Sequence, residues 1–169
     1  EYMESKGLKN KLTTINPGGV FGDALDIKGG TSIEYVKQFL KGKFPAAPKW
    51  GVLISDVKDV AKSHVACIGN RKVGGRRLIV GKEVKKLIEL SQIMAEAMPE
   101  YAKKLPKKEL PNFMVKLISY LDSSAKTMIP DLEIVMQTDT TYSEELLGLK
   151  FKPAKDCMSE TARSVVRLG

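Results

Sequence analysis

The sequence predicts an α/β protein, because short strand-like runs alternate with helix-like segments along its 169 residues. The first observation is a β-type run at residues 12–15, which stops at Asn16-Pro17-Gly18-Gly19. Two later strand-like runs, at residues 52–54 and 78–80, are separated by helix-like segments with apolar residues at helical spacing. A hydrophobic content of 43% is sufficient for a globular core.

The Asn-Pro-Gly-Gly sequence predicts a turn at the carboxyl end of the first strand. Paired glycines admit positive φ and carry no Cβ, while Pro17 fixes its own φ and biases Asn16 toward an extended conformation. We therefore expect something to approach this backbone closely. Ligands of open parallel sheets bind beyond the carboxyl ends of the strands, so the turn is a candidate pocket edge. An ordinary tight loop is the alternative.

The next helix is predicted over residues 31–40, with Thr31 or Ser32 as its N-cap and Gly42 as its end. Its apolar face would consist of Ile33, Val36, Phe39 and Leu40. A proline-rich loop at residues 42–51 then carries the single tryptophan, Trp50.

A short strand at residues 52–54 leads to a second helix, which would start at Asp59 as N-cap and run to Ile68. The apolar stripe of this helix would be Val60, Ala61, His64, Val65 and Ile68. Asp56 and Asp59 could be a catalytic carboxylate pair, but a spacing of three across a strand-to-helix junction favours capping and loop bracing.

The rest of the chain is predicted to be mainly helical. A turn and strand at residues 74–81 precede an amphipathic helix over residues 83–97, closed by Pro99, with Leu87, Ile88, Leu90 and Ile93 inward. A basic connector at residues 103–111 leads to a helix over 113–124, whose core residues would be Met114, Leu117, Ile118 and Leu121. Residues 140–148 form a capped helix with a glycine stop, and residues 156–168 form the last helix.

Several motifs in this order resemble the C-terminal half of extended short-chain dehydrogenase/reductases. The motifs are INPGGVFGDALD, a helical stretch with Ser32, VLISDVKDVAKSHVACI, GRRLIVG and YSEELLGLKFKP. The most similar branch is the dihydroflavonol-reductase and aldehyde-reductase group, near the NAD-dependent epimerases and dehydratases. The resemblance implies the C-terminal part of a Rossmann-like parallel sheet plus a small, mostly helical substrate-binding lobe. It assigns residues 1–82 to the sheet domain, with a lobe segment at about 25–50, and residues 83–169 mainly to the lobe and C-terminal helices.

The resemblance implies hydride transfer between NADP(H), with NAD(H) less favoured, and a small-molecule carbonyl or secondary alcohol. In the family pattern Pro17, Gly18 and Val20 line the nicotinamide, and Ser32 hydrogen-bonds the cofactor. Phe21 and Trp50 would contact the substrate. For Trp50 the alternative is a half-buried loop anchor. Asp139 is also familiar in this setting, in a structural role.

No catalytic residue is expected within these residues. The family's glycine-rich phosphate turn is absent from the sequence. Tyr2 and Lys6 fit the family's Tyr-x-x-x-Lys pattern, but Gly7 reads as a helix stop, and two or three missing turns would displace the phenol by about 10 Å. We therefore expect the second part of a longer protein, inactive and poorly soluble alone, with the missing N-terminal half as a partner.

Other function classes are less favoured. The formal net charge of +8 supports a basic module that binds nucleic acid, but the charges are scattered among several elements and no nucleic-acid motif accompanies them. A non-catalytic scaffold relative is the third hypothesis, and a homodimer is left open. His64 is the only histidine, which excludes a metal site built on several histidines, and no metal is expected.

The cytoplasm is the predicted location, because the sequence contains no targeting signal for another compartment. Neither a secretory signal nor a long apolar run occurs, so no membrane partner is expected. Cys67 and Cys157 are too few for a disulfide framework and are expected to be buried thiols in a reducing compartment, the cytoplasm.

Overall fold

The computed structural model describes residues 2–26, 28, 30–120, 126, 129–134 and 136–169. Its helices are α1 (Tyr2–Ser5), α2 (Thr31–Leu40), α3 (Val57–Cys67), α4 (Leu87–Ala97), α5 (Asn112–Ile118), α6 (Thr141–Leu147) and α7 (Ala154–Leu168). Its strands are β1 (Thr14–Pro17), β2 (Gly19–Phe21), β3 (Ala47–Pro48), β4 (Gly51–Asp56), β5 (Arg77–Val80), β6 (Glu83–Lys86) and β7 (Glu109–Leu110).

The first two strands are one extended segment that changes sheets at Gly18. β1 pairs in parallel with β5, with Thr14 opposite Arg77 and Pro17 opposite Val80. β2 pairs in parallel with β4, and β6 pairs antiparallel on the other side of β4. A short parallel pair, β3 with β7, lies apart from both. The parallel pairs and helical connections confirm the predicted α/β class.

The predicted turn at residues 16–19 is wrong. Asn16 and Pro17 lie within β1, and neither Gly18 nor Gly19 has a positive φ. The glycine is needed for another reason, because a Cβ at Gly18 would meet the backbone carbonyl and the Cβ of Leu53 in β4. The expected close approach therefore exists, and the approaching group is another strand of the same chain.

Ser55 joins the two sheets at this crossing. Its Oγ donates to the Val80 carbonyl at 2.6 Å and accepts from the Gly18 N–H at 2.9 Å. The Ser55 side chain is completely buried, so its bond to Val80 is shielded from water, and its bond to Gly18 is partly buried. One hydroxyl thus fixes where β1, β4 and β5 meet.

Helix α3 starts and faces differently from the sequence prediction. Asp56, not Asp59, is its N-cap, and its Oδ1 accepts from the Lys58 N–H at 2.9 Å. The predicted stripe is largely exposed, with Val65 at 68% and Ile68 at 81% exposure. Ala61 and His64 are also exposed, and Val60 is half-buried. The buried face carries Asp59 and Ser63 instead, because their polar groups are satisfied inside the fold.

Helix α4 is shorter than predicted because residues 83–86 form strand β6. Antiparallel pairing with β4 takes these residues into the sheet, with Glu83 opposite Ile54 and Lys86 opposite Gly51. The helix begins at Leu87, where the Glu89 carboxylate accepts from the Lys86 N–H at 2.7 Å. Leu87 and Leu90 are buried as predicted. Ile88 and Ile93 are partly buried against the same core.

Helix α5 presents a different core residue from the ones predicted. Val115 is 1% exposed, whereas Met114, Leu117 and Ile118 are 40%, 66% and 40% exposed. The predicted core position Leu121 and the end of the predicted helix, residues 121–124, lie outside the described residues. The helical spacing identified an apolar face correctly, but that face does not pack on the described core.

Two apolar clusters organise the described residues. The larger combines β2, β4, α2, α4 and α7 and includes the predicted inner face of α2, with Val36, Phe39 and Leu40 buried and Ile33 partly buried. The smaller cluster is built around the buried side chains of β5, Leu78 and Val80, and also includes Val73. The larger cluster draws residues from both sides of the predicted boundary at residue 82, and that domain boundary stays a prediction.

The helix ends near the carboxyl terminus follow the sequence closely. Gly148 closes α6 with a left-handed φ of 64°. The Asp139 carboxylate accepts from the Thr141 N–H at 2.9 Å, an interaction that lowers the pKa of Asp139. The predicted structural role of Asp139 is therefore confirmed.

Candidate functional site

An apolar cavity of about 130 Å³ lies beside β2. Its walls come from β2, α2, α4, the loop before β4 and one residue of α7. The lining residues are Gly19, Phe21, Thr31, Ser32, Tyr35, Val36, Phe39, Trp50, Val52, Leu87, Leu90, Met94 and Met158. A cavity of about 150 Å³ can hold a benzene molecule, so this one suits a single ring or a short branched chain.

Three of the residues predicted from the family pattern come together at this cavity. Phe21, Ser32 and Trp50 all line it, although they are far apart in the sequence. Pro17, Gly18 and Val20 do not line it. Pro17 and Gly18 are exposed at the crossing of the two sheets, and Val20 is half-buried in β2.

Gly19 shapes the cavity by what it lacks. A Cβ there would lie 2.8 Å from the Phe21 ring and 2.9 Å from a methyl group of Val52. The missing side chain therefore lets the Phe21 ring fold back along its own strand. Phe21 is 7% exposed as a result.

The aromatic side chains of α2 form the opposite wall. The Phe39 and Phe44 rings are 5.1 Å apart between centroids, and Tyr35 stacks on Phe44 at 6.4 Å. Tyr35, Leu90, Met94 and Met158 were not predicted as site residues. The spacing in α4 predicted that Leu90 faces inward, but nothing in a single sequence distinguishes a residue that fills a core from one that borders a cavity.

Ser32 lies in the first turn of α2 and does not cap it. The N-cap position is Gly30, with a φ of 54°, and no side chain accepts there, so the predicted cap at Thr31 or Ser32 is wrong. A left-handed φ at the N-cap suits glycine better than serine or threonine. The Ser32 side chain is consequently available at the cavity wall rather than used in the helix end.

The loop after β2 is held by one face of α7. The Thr161 Oγ1 accepts from the Gly22 N–H at 2.7 Å, and the Ser164 Oγ accepts from the Ala24 N–H at 2.9 Å. Arg167 adds an ion pair to Asp23 at 2.8 Å. These three side chains recur every third residue of the helix, so they share one face. This feature was not predicted, because the spacing of polar residues in α7 does not indicate which loop they bind.

Asp56 and Asp59 are structural, as predicted. The Asp56 carboxylate is completely buried, and its Oδ2 lies 2.9 Å from the Lys152 ammonium. Lys152 also pairs with Glu160 at 2.6 Å, while its backbone N–H donates to the Asp59 Oδ2 at 2.7 Å. Burial lowers the pKa of Lys152, but hydrogen bonds to Glu160 and Asp56 outweigh it, so the net shift is upward. Both carboxylates therefore join the start of α3 to Lys152, which lies just before α7.

Neither the two cysteines nor His64 belongs to a catalytic or metal-binding cluster in the described residues. Burial raises the pKa of both Cys67 and Cys157, which keeps them as neutral thiols at neutral pH. Cys157 is buried as predicted, whereas Cys67 is half-buried. His64 is exposed on α3, and its Nδ1 lies 2.8 Å from the Val60 carbonyl. No group of potential metal ligands occurs in the described part of the chain.

The first helix ends soon after Tyr2, as predicted, whereas the interpretation of Tyr2 and Lys6 as a misleading match stays a prediction. Helix α1 ends at Ser5, and Gly7 has a φ of 65°, which is a helix-stop conformation. The Tyr2 side chain is 73% exposed.

Within the described residues, no helix combines the length and the apolar character needed to span a membrane.

The polar groups that line the cavity are the hydroxyls of Thr31, Ser32 and Tyr35 and the Trp50 indole. Neither a carboxylate nor a lysine or histidine is among its lining residues. The Trp50 Nε1 is buried without a hydrogen-bond partner in the described residues. The arrangement therefore favours an uncharged, largely apolar ligand.

Four of the curated relatives of the chain are named as reductases and three as uncharacterized oxidoreductases. The NADPH-dependent methylglyoxal reductase GRE2 of Saccharomyces cerevisiae is 28% identical over 178 aligned positions, which cover 99% of this chain and 47% of that protein. Cinnamoyl-CoA reductase 1 of Petunia hybrida is 25% identical and covers 100% of this chain and 44% of that protein. The chain thus spans about half the length of the relatives it matches, and no protein-family model matches it.

Solved structures show the same fold. Yeast methylglyoxal/isovaleraldehyde reductase Gre2, complexed with NADPH, matches with a TM-score of 0.68 at 24% identity, over 99% of this chain and 51% of that one. UDP-glucose 4-epimerase of Thermotoga maritima matches with a TM-score of 0.65 at 14% identity, over 98% of this chain and 50% of that one. These neighbours and the curated reductases confirm the predicted resemblance to the short-chain dehydrogenase/reductase and epimerase superfamily, and with it the Rossmann-like fold class.

Proposed function

We propose that the natural protein is an NADPH-dependent reductase of small-molecule carbonyl compounds. These 169 residues would line its substrate pocket and form one edge of its cofactor site. The observation that carries the proposal is the juxtaposition of Phe21, Ser32 and Trp50 at an apolar cavity beside β2. The NADPH dependence of the yeast relative supports this cofactor over NADH. The free thiols of Cys67 and Cys157 are compatible with the cytoplasm as its location.

The exposed crossing at Pro17 and Gly18 fits a flat ring laid against the backbone. Pro17 has no N–H, and the Gly18 N–H already donates to Ser55, so contact here is through van der Waals packing. Val20 would extend the same surface, and Ser32 would donate a hydrogen bond to the cofactor. When bound, NADPH supplies the hydride for the carbonyl carbon.

The cavity would receive the apolar part of the carbonyl substrate. Phe21 and Trp50 exclude water from one side, which strengthens polar interactions at the reacting carbonyl. The proton for the product alcohol would come from a Tyr-Lys pair outside these residues, because the cavity lining offers neither a lysine nor a carboxylate. The proposal therefore includes a preceding half as the partner of this chain, and the chain alone would be inactive.

The intact mass of the native gene product tests the two-part organisation. A mass roughly double 18.6 kDa would support a preceding half, in line with relatives that the chain covers by about half. A mass of 18.6 kDa would contradict it and favour a non-catalytic scaffold.

Fluorescence titration of NADPH with the native gene product tests the cofactor assignment. Ser32→Ala is expected to weaken NADPH binding about 10-fold, the effect of about 1.4 kcal/mol for a lost hydrogen bond. Ser159→Ala is the matched control, because Ser159 is half-buried on α7, as Ser32 is on α2, and donates to the Lys155 carbonyl. Equal affinities for all three proteins would remove Ser32 from the cofactor site.

Steady-state kinetics separate the substrate assignment from the cofactor assignment. Trp50→Leu is expected to raise the KM for an apolar aldehyde by more than it raises the Kd for NADPH, because Trp50 lines the cavity proposed for the substrate. A Trp50→Leu protein with unchanged KM would favour the loop-anchor interpretation.

A further inference from the structure

Two long acid-free parts of the sequence meet in the fold. Residues 5–22 and 60–82 contain no aspartate or glutamate, yet they hold nine lysines and arginines. They are far apart in the sequence, but parallel pairing of β1 with β5 brings them side by side. The charges that are scattered along the chain are therefore partly gathered by its topology.

Backbone contacts fix this junction at the amino ends of the two strands. The Thr14 N–H donates to the Arg76 carbonyl at 2.9 Å, and the Gly75 N–H donates to the Leu12 carbonyl at 2.8 Å. The Thr13 Oγ1 adds a bond to the Val73 carbonyl at 2.9 Å. Gly74 packs so closely on Asn10 that a Cβ would meet its carbonyl oxygen. The basic residues at this junction therefore lie on backbone segments that are hydrogen-bonded to each other.

The exposed cations at this junction form what we call the basic edge: Lys11, Arg71, Lys72, Arg76 and Arg77. The ion pairs of the described residues involve none of these five side chains. Two other cations of the same acid-free segments are neutralised, Lys62 by Asp59 and Lys82 by Glu144. The positive charge of the basic edge is thus uncompensated locally.

We propose that the basic edge binds the phosphate backbone of a nucleic-acid duplex without sequence preference. Three of its five cations are arginines, whose planar guanidinium groups bind phosphate oxygens through paired hydrogen bonds. The segments that carry the edge, residues 10–14 and 71–77, contain no aromatic residue on which unpaired bases could stack, so a duplex fits better than a single strand. This site lies on the β1–β5 pair, away from the cavity beside β2, and does not depend on the proposed reductase activity.

Fluorescence anisotropy with a labelled duplex of about 20 base pairs tests the proposal on the natural protein. If about four phosphates are neutralised, affinity falls about 100-fold between about 50 and 200 mM salt. The double substitution Arg76→Glu with Arg77→Glu is expected to weaken binding at least about 10-fold, since it removes two contacts and adds repulsion.

Lys107→Glu with Lys108→Glu is the matched control. Both lysines are exposed and change the net charge by the same amount, but they precede β7 and lie outside the basic edge. The control is expected to bind within about 2-fold of the unchanged protein. Arg71→Glu with Lys72→Glu provides a second edge variant in case the first unfolds, and thermal melting identifies which variants are folded.

Three outcomes would overturn the proposal. Absence of duplex binding at about 50 mM salt would remove the site. Equal losses in the edge and control variants would show a response to net charge alone. Competition by polyglutamate as strong as that by unlabelled duplex would identify an acidic polypeptide as the partner instead.

Discussion

Apolar residues at helical spacing are buried around the cavity but exposed beside the β1–β5 pair. Around the cavity, residues with helical spacing are buried, with Val36 at 1% and Leu90 at 3% exposure. On α3, beside β1 and β5, residues with equally regular spacing are open, with Val65 at 68% and Ile68 at 81% exposure. Periodicity therefore reveals that a helix has an apolar face, but the neighbours of that helix decide whether the face is covered.

The difference follows from what each helix packs on. Helices α2 and α4 both contact α7, whose own buried residues complete the larger cluster. Helix α3 contacts β1, β4 and β5 through the face that carries Asp59 and Ser63. Among the described strands, only β5 pairs with β1, so the second edge of β1 has no described strand beside it.

The largest expected effect is a difference in stability between truncating a buried and an exposed aliphatic side chain. Leu90→Ala should lower the free energy of unfolding by about 2–5 kcal/mol, because it enlarges a cavity that already exists. Ile68→Ala should change it by less than about 0.5 kcal/mol, because Ile68 is exposed. Urea unfolding of the native gene product measures both. A comparable loss in Ile68→Ala would mean that this face of α3 is covered in solution.

A second contrast concerns two strand glycines with ordinary φ. Gly18→Ala should cost about 3 kcal/mol, because its Cβ would meet the Leu53 backbone, which cannot rotate away. Gly51→Ala should cost less than about 1 kcal/mol, since its Cβ would meet only a methyl group of Val84 at 3.2 Å. Thermal unfolding compares the two. If Gly18→Ala were the milder change, the crossing of the sheets would be looser than described.

A third effect tests the grip of α7 on the loop after β2. Thr161→Val keeps the shape of the side chain but leaves the buried Gly22 N–H without its acceptor, at a cost of about 1–3 kcal/mol. Thr161→Ser should restore most of this loss because it keeps the hydroxyl. Hydrogen exchange at Gly22 reports the bond directly. Unchanged protection of Gly22 in Thr161→Val would show that the loop does not rely on α7.

The smallest effect is a pH dependence at Glu144, beside the β1–β5 region. Burial raises the pKa of Glu144, but the Lys82 ammonium and the Phe151 N–H outweigh it, so the net pKa lies below its ordinary value of 4.5. The carboxylate therefore contributes stability above pH 4.5, and this contribution disappears as the pH falls through the lowered pKa.

Glu144→Gln should remove that contribution, at a cost of about 1 kcal/mol at pH 7. The stability difference between the two proteins should be constant above about pH 5.5 and shrink at lower pH. Urea titrations from pH 7 to pH 3 measure it. Glu145→Gln is the control, because Glu145 is exposed on the same helix and makes no ion pair in the described residues. A difference that grew on acidification would contradict the lowered pKa.

Local signals predicted much of the fold and part of the site. The bounds of α2 and the glycine stop of α6 depend on spacing and on single residues, and the structure places them as expected. The segment at residues 16–19 was misjudged because glycine and proline indicate a turn as well as a close approach, and only the position of Leu53 distinguishes the two. The start of α4 was misjudged because strand β6 depends on pairing with distant β4.

The cavity required the tertiary fold. Phe21, Ser32 and Trp50 were proposed from family resemblance, and their convergence depends on the packing of α2 and α4 against β2. The grip of Thr161 and Ser164 on the loop after β2 joins residues about 140 positions apart, which no local pattern reveals. The assignment of Pro17, Gly18 and Val20 to the cofactor stays a prediction.

The rate of NADPH oxidation by the native gene product, with a short branched or monocyclic aldehyde, tests the central claim most directly. The reductase proposal predicts aldehyde-dependent oxidation of NADPH that is saturable in both compounds, with a KM for the aldehyde that rises in Trp50→Leu. A folded protein that neither binds nor oxidises NADPH with such aldehydes would contradict the proposal and leave the fold in a non-catalytic role.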